Sequence, residues 1–145
     1  MISVLQVPEL NKLIPLAKAF IAESTEDIPF NEEHFIKTWE QVYLSKNGSI
    51  LKYEKDGEII GALGYLVYPD FLSGELKATE TFWFIKPEFR GCGFKLLDEF
   101  EKVSKELGVK RIMMAHLKHL MPDKLKSVYL KRGYREIETQ YEKVV

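Results

Sequence analysis

Cysteine is almost absent: the 145-residue chain has one, Cys92. A lone thiol excludes an intrachain disulfide and any zinc site built on cysteine pairs. An excess of charge of one sign is also missing. Lys and Arg number 21 and Asp and Glu 22, for a formal net charge of -1. That balance lacks the basic excess of a dedicated nucleic-acid binder, and gives no reason to expect an anionic membrane surface as partner. No run reaches the ~18–20 apolar residues of a membrane span. The opening MISVLQVPELNKLIPLAKAF has no basic leader, and Lys12 and Lys18 interrupt its apolar positions. Repeats, low-complexity tracts and linkers are lacking as well. These absences predict a cytoplasmic protein with no nucleic-acid or membrane partner.

What is present is a core. Apolar residues make up 46% and aromatics 12% of the chain, in a length typical of one domain, so a single domain over residues 1–145 is expected. Leu10, Leu13, Ile14, Ala17, Phe20 and Ile21 follow helical spacing. Pro15 either kinks that helix or opens its main part. A second helix starts after Pro29, capped by Asn31, with Phe35, Trp39 and Val42 as its apolar stripe. Ser49–Tyr53 and Glu58–Tyr68 read as strands joined through Asp56-Gly57, and Glu75–Ile85 as a third. A helix then carries Leu96, Leu97, Phe100, Val103 and Leu107, with Gly108 as its C-terminal cap. Val109–Ala115 reads as a buried strand, Pro122–Arg132 as a helix capped by Gly133, and Ile137, Thr139 and Tyr141 as the inward face of a final strand. The order α-α-β-β-β-α-β-α-β, with room for a short extra N-terminal strand, predicts an α/β fold: a mixed sheet with helices on both faces.

The chemistry concentrates in Phe82-Trp83-Phe84-Ile85-Lys86-Pro87-Glu88-Phe89-Arg90-Gly91-Cys92-Gly93-Phe94-Lys95-Leu96-Leu97. This is a strand, a sharp exit, a glycine-containing loop and a helix start. Glycines let backbone N–H groups converge on one point, and a helix N-terminus adds partial positive charge. Together they suit a pyrophosphate, with Lys86, Arg90 and Lys95 nearby. The dinucleotide fingerprint fails because Leu96 stands at its third glycine, and no Gly-Lys-Ser/Thr occurs.

The stretch Pro87–Lys95 resembles the coenzyme A-binding motif of the GCN5-related N-acetyltransferase (GNAT) superfamily: Arg or Gln, two residues, Gly, one residue, Gly or Ala. Arg90 and Gly93 fit, and Lys95 departs from the final small residue. Val128-Tyr129-Leu130-Lys131-Arg132-Gly133-Tyr134 resembles the family's late helix. The likeness extends in element order across nearly the whole chain, and is to compact members often encoded by bacteriophages.

The resemblance implies a GNAT-like fold and transfer of acetyl from acetyl-coenzyme A, its co-substrate, to an amine acceptor, a small molecule or a protein amine. A homodimer stays open. Backbone groups of Trp83, Phe84 and Ile85 would pair with the pantetheine arm, with the Phe84–Ile85 stretch offering the N–H that faces the thioester oxygen. The N–H groups of Gly91, Cys92, Gly93, Phe94, Lys95 and Leu96 would hold the pyrophosphate, and Tyr129 would protonate the departing thiolate. Pro122 stands where an Asn contact is usual, and the usual final strand pair is shortened to about one.

Attack needs a neutral amine, hence a base or a water path. The candidates are Glu80, on the strand before the loop, and His116, just after the next strand. Each has a bland alternative: Glu80 as an ordinary strand carboxylate, His116 and His119 as loop residues, Tyr129 as a packed ring in register with Leu125 and Val128. Two histidines three apart with no third ligand predict no metal. Cys92 reads as a small loop residue and not a nucleophile. An inactive coenzyme A-binding or protein-interaction module of the same fold is the alternative function.

Overall fold

The computed structural model describes residues 1–24, 28–116 and 122–145. It comprises two compact units, Met1–Ala115 and His116–Val145.

The first unit is built on a five-stranded sheet in the order β1-β2-β3-β4-β5. The strands are β1 (Ile2–Val4), β2 (Gly48–Lys55), β3 (Glu58–Pro69), β4 (Leu76–Ile85) and β5 (Arg111–Met113). The first four pair antiparallel and β5 joins β4 in parallel. The mixed sheet and the extra N-terminal strand agree with expectation. Asp56 and Gly57 both take positive φ, 52° and 78°, which gives the two-residue β2–β3 turn the twist a hairpin needs.

Two helices, α1 (Ile14–Ser24) and α2 (Glu32–Ser45), follow a 3₁₀ segment over Val7–Leu13. Pro15 opens α1 and does not kink it, because the missing N–H of proline costs nothing in a first turn. Asn31 caps α2, its side-chain oxygen accepting from the His34 N–H at 2.9 Å. These elements cover one face of the sheet. Leu10, Leu13, Leu16, Ala17 and Trp39 pack there with Ile50, Ala62 and Phe84. Helix α3 (Phe94–Glu106) covers the other face, where Phe100, 0% exposed, lies 5.1 Å from the Tyr65 ring. Gly108 ends α3 at φ 78°. No helix among the described residues is long and apolar enough to cross a membrane.

The second unit holds α4 (Pro122–Lys131), closed by Gly133 at φ 90°. The predicted final strand is not there: residues 134–145 form neither helix nor strand, and Ile137 and Tyr141 are exposed. Alternation prepares a segment for a sheet, but it does not by itself supply the partner edge that pairing needs. The strand expected over 109–115 shrinks to Arg111–Met113. His119 lies outside the described residues.

Candidate active site

The strand β4 carries two irregularities, and both bear on chemistry. The first is its short union with β5. Only Lys77, Ala78 and Thr79 have partners, namely Arg111, Ile112 and Met113. Beyond Thr79, β4 runs on to Ile85 with no β5 residue beside it. The Lys86 N–H donates to the Ile60 carbonyl at 2.8 Å, so residue 86 turns its backbone toward β3. Antiparallel alternation then sends the backbones of Phe84 and Phe82 toward β3 and those of Trp83 and Ile85 outward. Among the described residues, no backbone partner meets those outward groups. An exposed edge of this kind is a template for an extended, amide-bearing ligand.

This corrects one expectation. Phe84 cannot offer its backbone to that edge. Its ring is instead 6% exposed in the α1–α2 core, 4.6 Å from Phe20 and 4.5 Å from Phe82. The outward N–H donors are those of Trp83 and Ile85.

The second irregularity is a bulge. Gly64 pairs with Phe82 but Tyr65 pairs with Glu80, so Thr81 is an extra residue. A bulge shifts the alternation by one. Gly64 and Phe82 sit on the α1–α2 face: a Cβ at Gly64 would meet Phe82 at 2.5 Å and Trp39 at 2.8 Å. Tyr65 faces α3, and its partner Glu80 therefore does too. Trp83 shares that face, its ring 5.8 Å from Phe94 at the start of α3. Were Thr81 paired in regular register, Glu80 would point into the same core as Phe82. The one sign of this in the sequence is the polar Glu80-Thr81 step inside an otherwise apolar strand end.

Glu80 is half-buried and its carboxyl is crowded by protein. Desolvation pushes its pKa up to about 7, against the smaller opposing effect of the Ala115 N–H that donates to it. A carboxyl poised near neutrality can take and return a proton at physiological pH.

The glycine loop follows β4. Residues Pro87–Cys92 wind as a 3₁₀ segment that leads through Gly93 into α3. The Gly93 N–H donates to the Arg90 carbonyl at 3.1 Å, and the Leu96 N–H to the Gly93 carbonyl at 3.0 Å. Several of the six amides assigned to a pyrophosphate, those of Gly93 and Leu96 among them, are thus engaged within the chain. A Cβ at Gly91 would meet nothing within 4 Å, so the loop surface there is open. The Arg90 guanidinium pairs with Glu23 at the end of α1. The Lys95 ammonium lies 5.9 Å over the Tyr53 ring, and Lys86 pairs with Glu58. Cys92 is a half-buried free thiol. A separate groove of about 110 Å³, lined by Pro15, Leu16, Phe20, Glu23, Ile85 and Pro87, opens on the α1 side. Its carboxylate, Glu23, is the one engaged by Arg90.

In the second unit, Tyr129 lies on α4. Its ring is 5.5 Å from Tyr134 and 6.5 Å from His116, nearly parallel to the latter at 15°. The turn after α4 is held by the Tyr134 N–H, which donates to the Tyr129 carbonyl at 3.0 Å. His116 is exposed. It adds to the lowering of the Glu136 pKa, for which the hydrogen bond from Lys126 is the larger cause. Among the described residues, no cluster of three His, Cys, Asp or Glu side chains could hold a metal.

The sequence matches the Acetyltransferase (GNAT) family over residues 16–134. The chain belongs to that family. Solved structures share the GNAT fold. A predicted acetyltransferase from Clostridium acetobutylicum, solved with acetyl-CoA, superposes with a TM-score of 0.80 at 16% identity, covering 99% of this chain and 95% of that one. Glucosamine-6-phosphate N-acetyltransferase from Arabidopsis thaliana gives 0.76 at 18%, covering 99% and 97%. An aminoglycoside acetyltransferase from an uncultured soil sample, in complex with sisomicin, gives 0.76 at 19%, covering 100% and 95%. No curated protein matches in sequence.

The GNAT cosubstrate can be tested for fit against this chain. The outward backbone of Trp83 and Ile85 matches an amide-bearing arm, the open surface over Gly91 leaves room for phosphate, and the buried Trp83 indole N–H has no acceptor among the described residues. The residues fit.

Proposed function

We propose that this GNAT protein transfers the acetyl group of acetyl-coenzyme A directly to a primary amine, the whole chain acting as one catalytic domain in the cytoplasm without metal, nucleic acid or membrane. The observation that carries the reading is the open edge of β4. It runs from a bulge that turns Glu80 toward the α3 face to a glycine loop at the head of α3. The likeness to compact phage-encoded members rests on the sequence alone.

The roles follow from each group's chemistry. Trp83 and Ile85 hold the amide arm through outward backbone groups. Arg90 and the loop from Gly91 to Leu96 hold the phosphates, which requires Arg90 to exchange Glu23 for the ligand. Acetyl-coenzyme A supplies an activated thioester carbonyl. Glu80 takes the proton from the attacking amine, and its elevated pKa suits it to hold that proton reversibly. An outward N–H on β4 faces the carbonyl oxygen as it gains charge. The Tyr129 phenol gives its proton to the departing sulfur. His116, exposed on the second unit, is the weaker candidate for base.

Acceptors of the structural neighbours include a hexosamine phosphate and an aminoglycoside, so an amine on a polar small molecule is the first class to try. Calorimetric titration with coenzyme A is expected to give one site per chain, because there is one glycine loop. Thioester consumption with a panel of amines then separates an enzyme from a binding module: binding without turnover on any amine favours the module, and no binding sinks the reading.

A further inference from the structure

Among the described residues, two buried side-chain polar atoms find no partner, the Ser104 hydroxyl and the Trp83 indole nitrogen. Ser104 is wholly enclosed on α3, with no open surface beside it. Trp83 differs. It lies on the stretch of β4 that β5 leaves unpaired, with its own backbone turned to that edge and its ring against Phe94, the first residue of α3. A buried N–H without an acceptor is costly and uncommon. Where it borders a ligand site, the natural explanation is an acceptor that arrives with the ligand.

We propose that the Trp83 indole N–H is a ligand-binding donor, giving its hydrogen bond to a carbonyl oxygen of the amide arm of coenzyme A. This rests on the reading of the site given above and assigns a side-chain role that reading does not contain. Position along β4 selects the arm over the other parts of the ligand. Trp83 and Glu80 lie opposite Leu63 and Tyr65, two residues apart on β3, so at ~3.3 Å per residue they are about 7 Å apart along the strand, with Glu80 at the acid–base end. In the other direction the chain runs through Ile85 and the exit at Pro87 before reaching Gly91, the phosphate end. The atoms that span that interval in coenzyme A are two amides and their methylenes, and an indole N–H can only donate, so it selects a carbonyl. Trp83 thereby makes the slot selective for a polyamide acyl carrier over a bare nucleotide.

The test compares ligands with and without the arm. Trp83→Phe keeps an aromatic ring against Phe94 and removes the donor. It should weaken coenzyme A binding by about three- to tenfold, the loss of one neutral hydrogen bond. Affinity for the nucleotide fragment, which keeps the pyrophosphate and lacks the arm, should be unchanged. In the wild-type protein, the chain's two tryptophans give two indole N–H resonances. The Trp83 signal, identified by its contacts to the Phe94 ring, should move downfield with coenzyme A and stay in place with the fragment. Equal losses for both ligands, or unchanged binding of coenzyme A with a stationary Trp83 signal, would overturn the proposal, leaving the N–H to water or to the Phe94 ring face. Wild-type protein that binds neither ligand would overturn the site reading itself, and is distinguished from those outcomes by the titration alone.

Discussion

Replacing Glu80 with glutamine tests the site through two independent measurements. The folded-state pKa of about 7 stands well above the ordinary carboxylate value of 4.5, chiefly because burial disfavours the ion. The folded state therefore holds this proton more tightly than the unfolded chain. Stability from this group is undiminished below about pH 4.5, falls as pH rises toward 7, and stays low above that. The gap converts to ~2–3 kcal/mol, allowing for partial solvent relaxation around a half-buried group. Glutamine has nearly the same shape, can still accept from the Ala115 N–H, and never ionises. Glu80→Gln should thus melt with the wild type near pH 4 and roughly 6–12 °C above it near pH 8. Activity should move the opposite way. At pH 6 about a tenth of the wild-type carboxyl is ionised and at pH 8 about nine-tenths. An ordinary carboxylate would be ionised across this whole range and its loss would give a constant deficit; the raised pKa instead makes the rate deficit grow from pH 6 to 8, reaching about 10²-fold or more for a positioned base. Melting curves that coincide at every pH would refute the burial argument. Coincident pH–rate profiles would remove Glu80 from proton transfer and leave His116→Ala as the variant to measure.

Three further outcomes are expected. Gly93→Val should lose coenzyme A binding in a calorimetric titration, and Gly93→Ala should keep its melting temperature, because a Cβ there meets nothing closer than 3.4 Å. Gly64→Ala should do the reverse: its Cβ would lie 2.5 Å from Phe82 and 2.8 Å from Trp39, which should cost ~1–3 kcal/mol in urea unfolding. Tyr129→Phe should lower kcat by about 10²-fold with less than about a tenfold change in coenzyme A affinity; full activity would leave the ring a packing residue beside Tyr134.

Local signals in the sequence were enough for most elements. The Asp56-Gly57 pair announced its hairpin because few residues tolerate positive φ, and Asn31 announced α2 because its side chain satisfies a free N–H of the first turn. The glycine loop was legible for the same reason: backbone conformation is set by residues adjacent in sequence. What could not be read depends on distant partners. Ile137, Thr139 and Tyr141 alternate as a strand would, yet alternation says nothing about whether an edge is available. Strand β5 pairs with β4 over three residues only, and the length of a pairing is a property of both strands. The bulge at Thr81 is a mismatch between β3 and β4, invisible in either strand alone. It reverses which side Glu80 occupies, so the site's acid–base group could be named from sequence while its direction could not.

The extra residue at Thr81 also lets one strand serve two masters. Downstream of it, β4 spends its even-numbered side chains, Phe82 and Phe84, on the aromatic wall beneath α1 and α2. Upstream, the parity is inverted, and even-numbered Glu80 serves the opposite surface. Deleting Thr81 would make Glu80 and Phe82 consecutive and leave each on its present face, whereas drawing Thr81 into regular pairing would drive the carboxyl into the wall of phenylalanines. The specification at this position is a matter of pairing more than of side-chain chemistry: Thr81 has to stay out of the ladder, and its identity matters less than that.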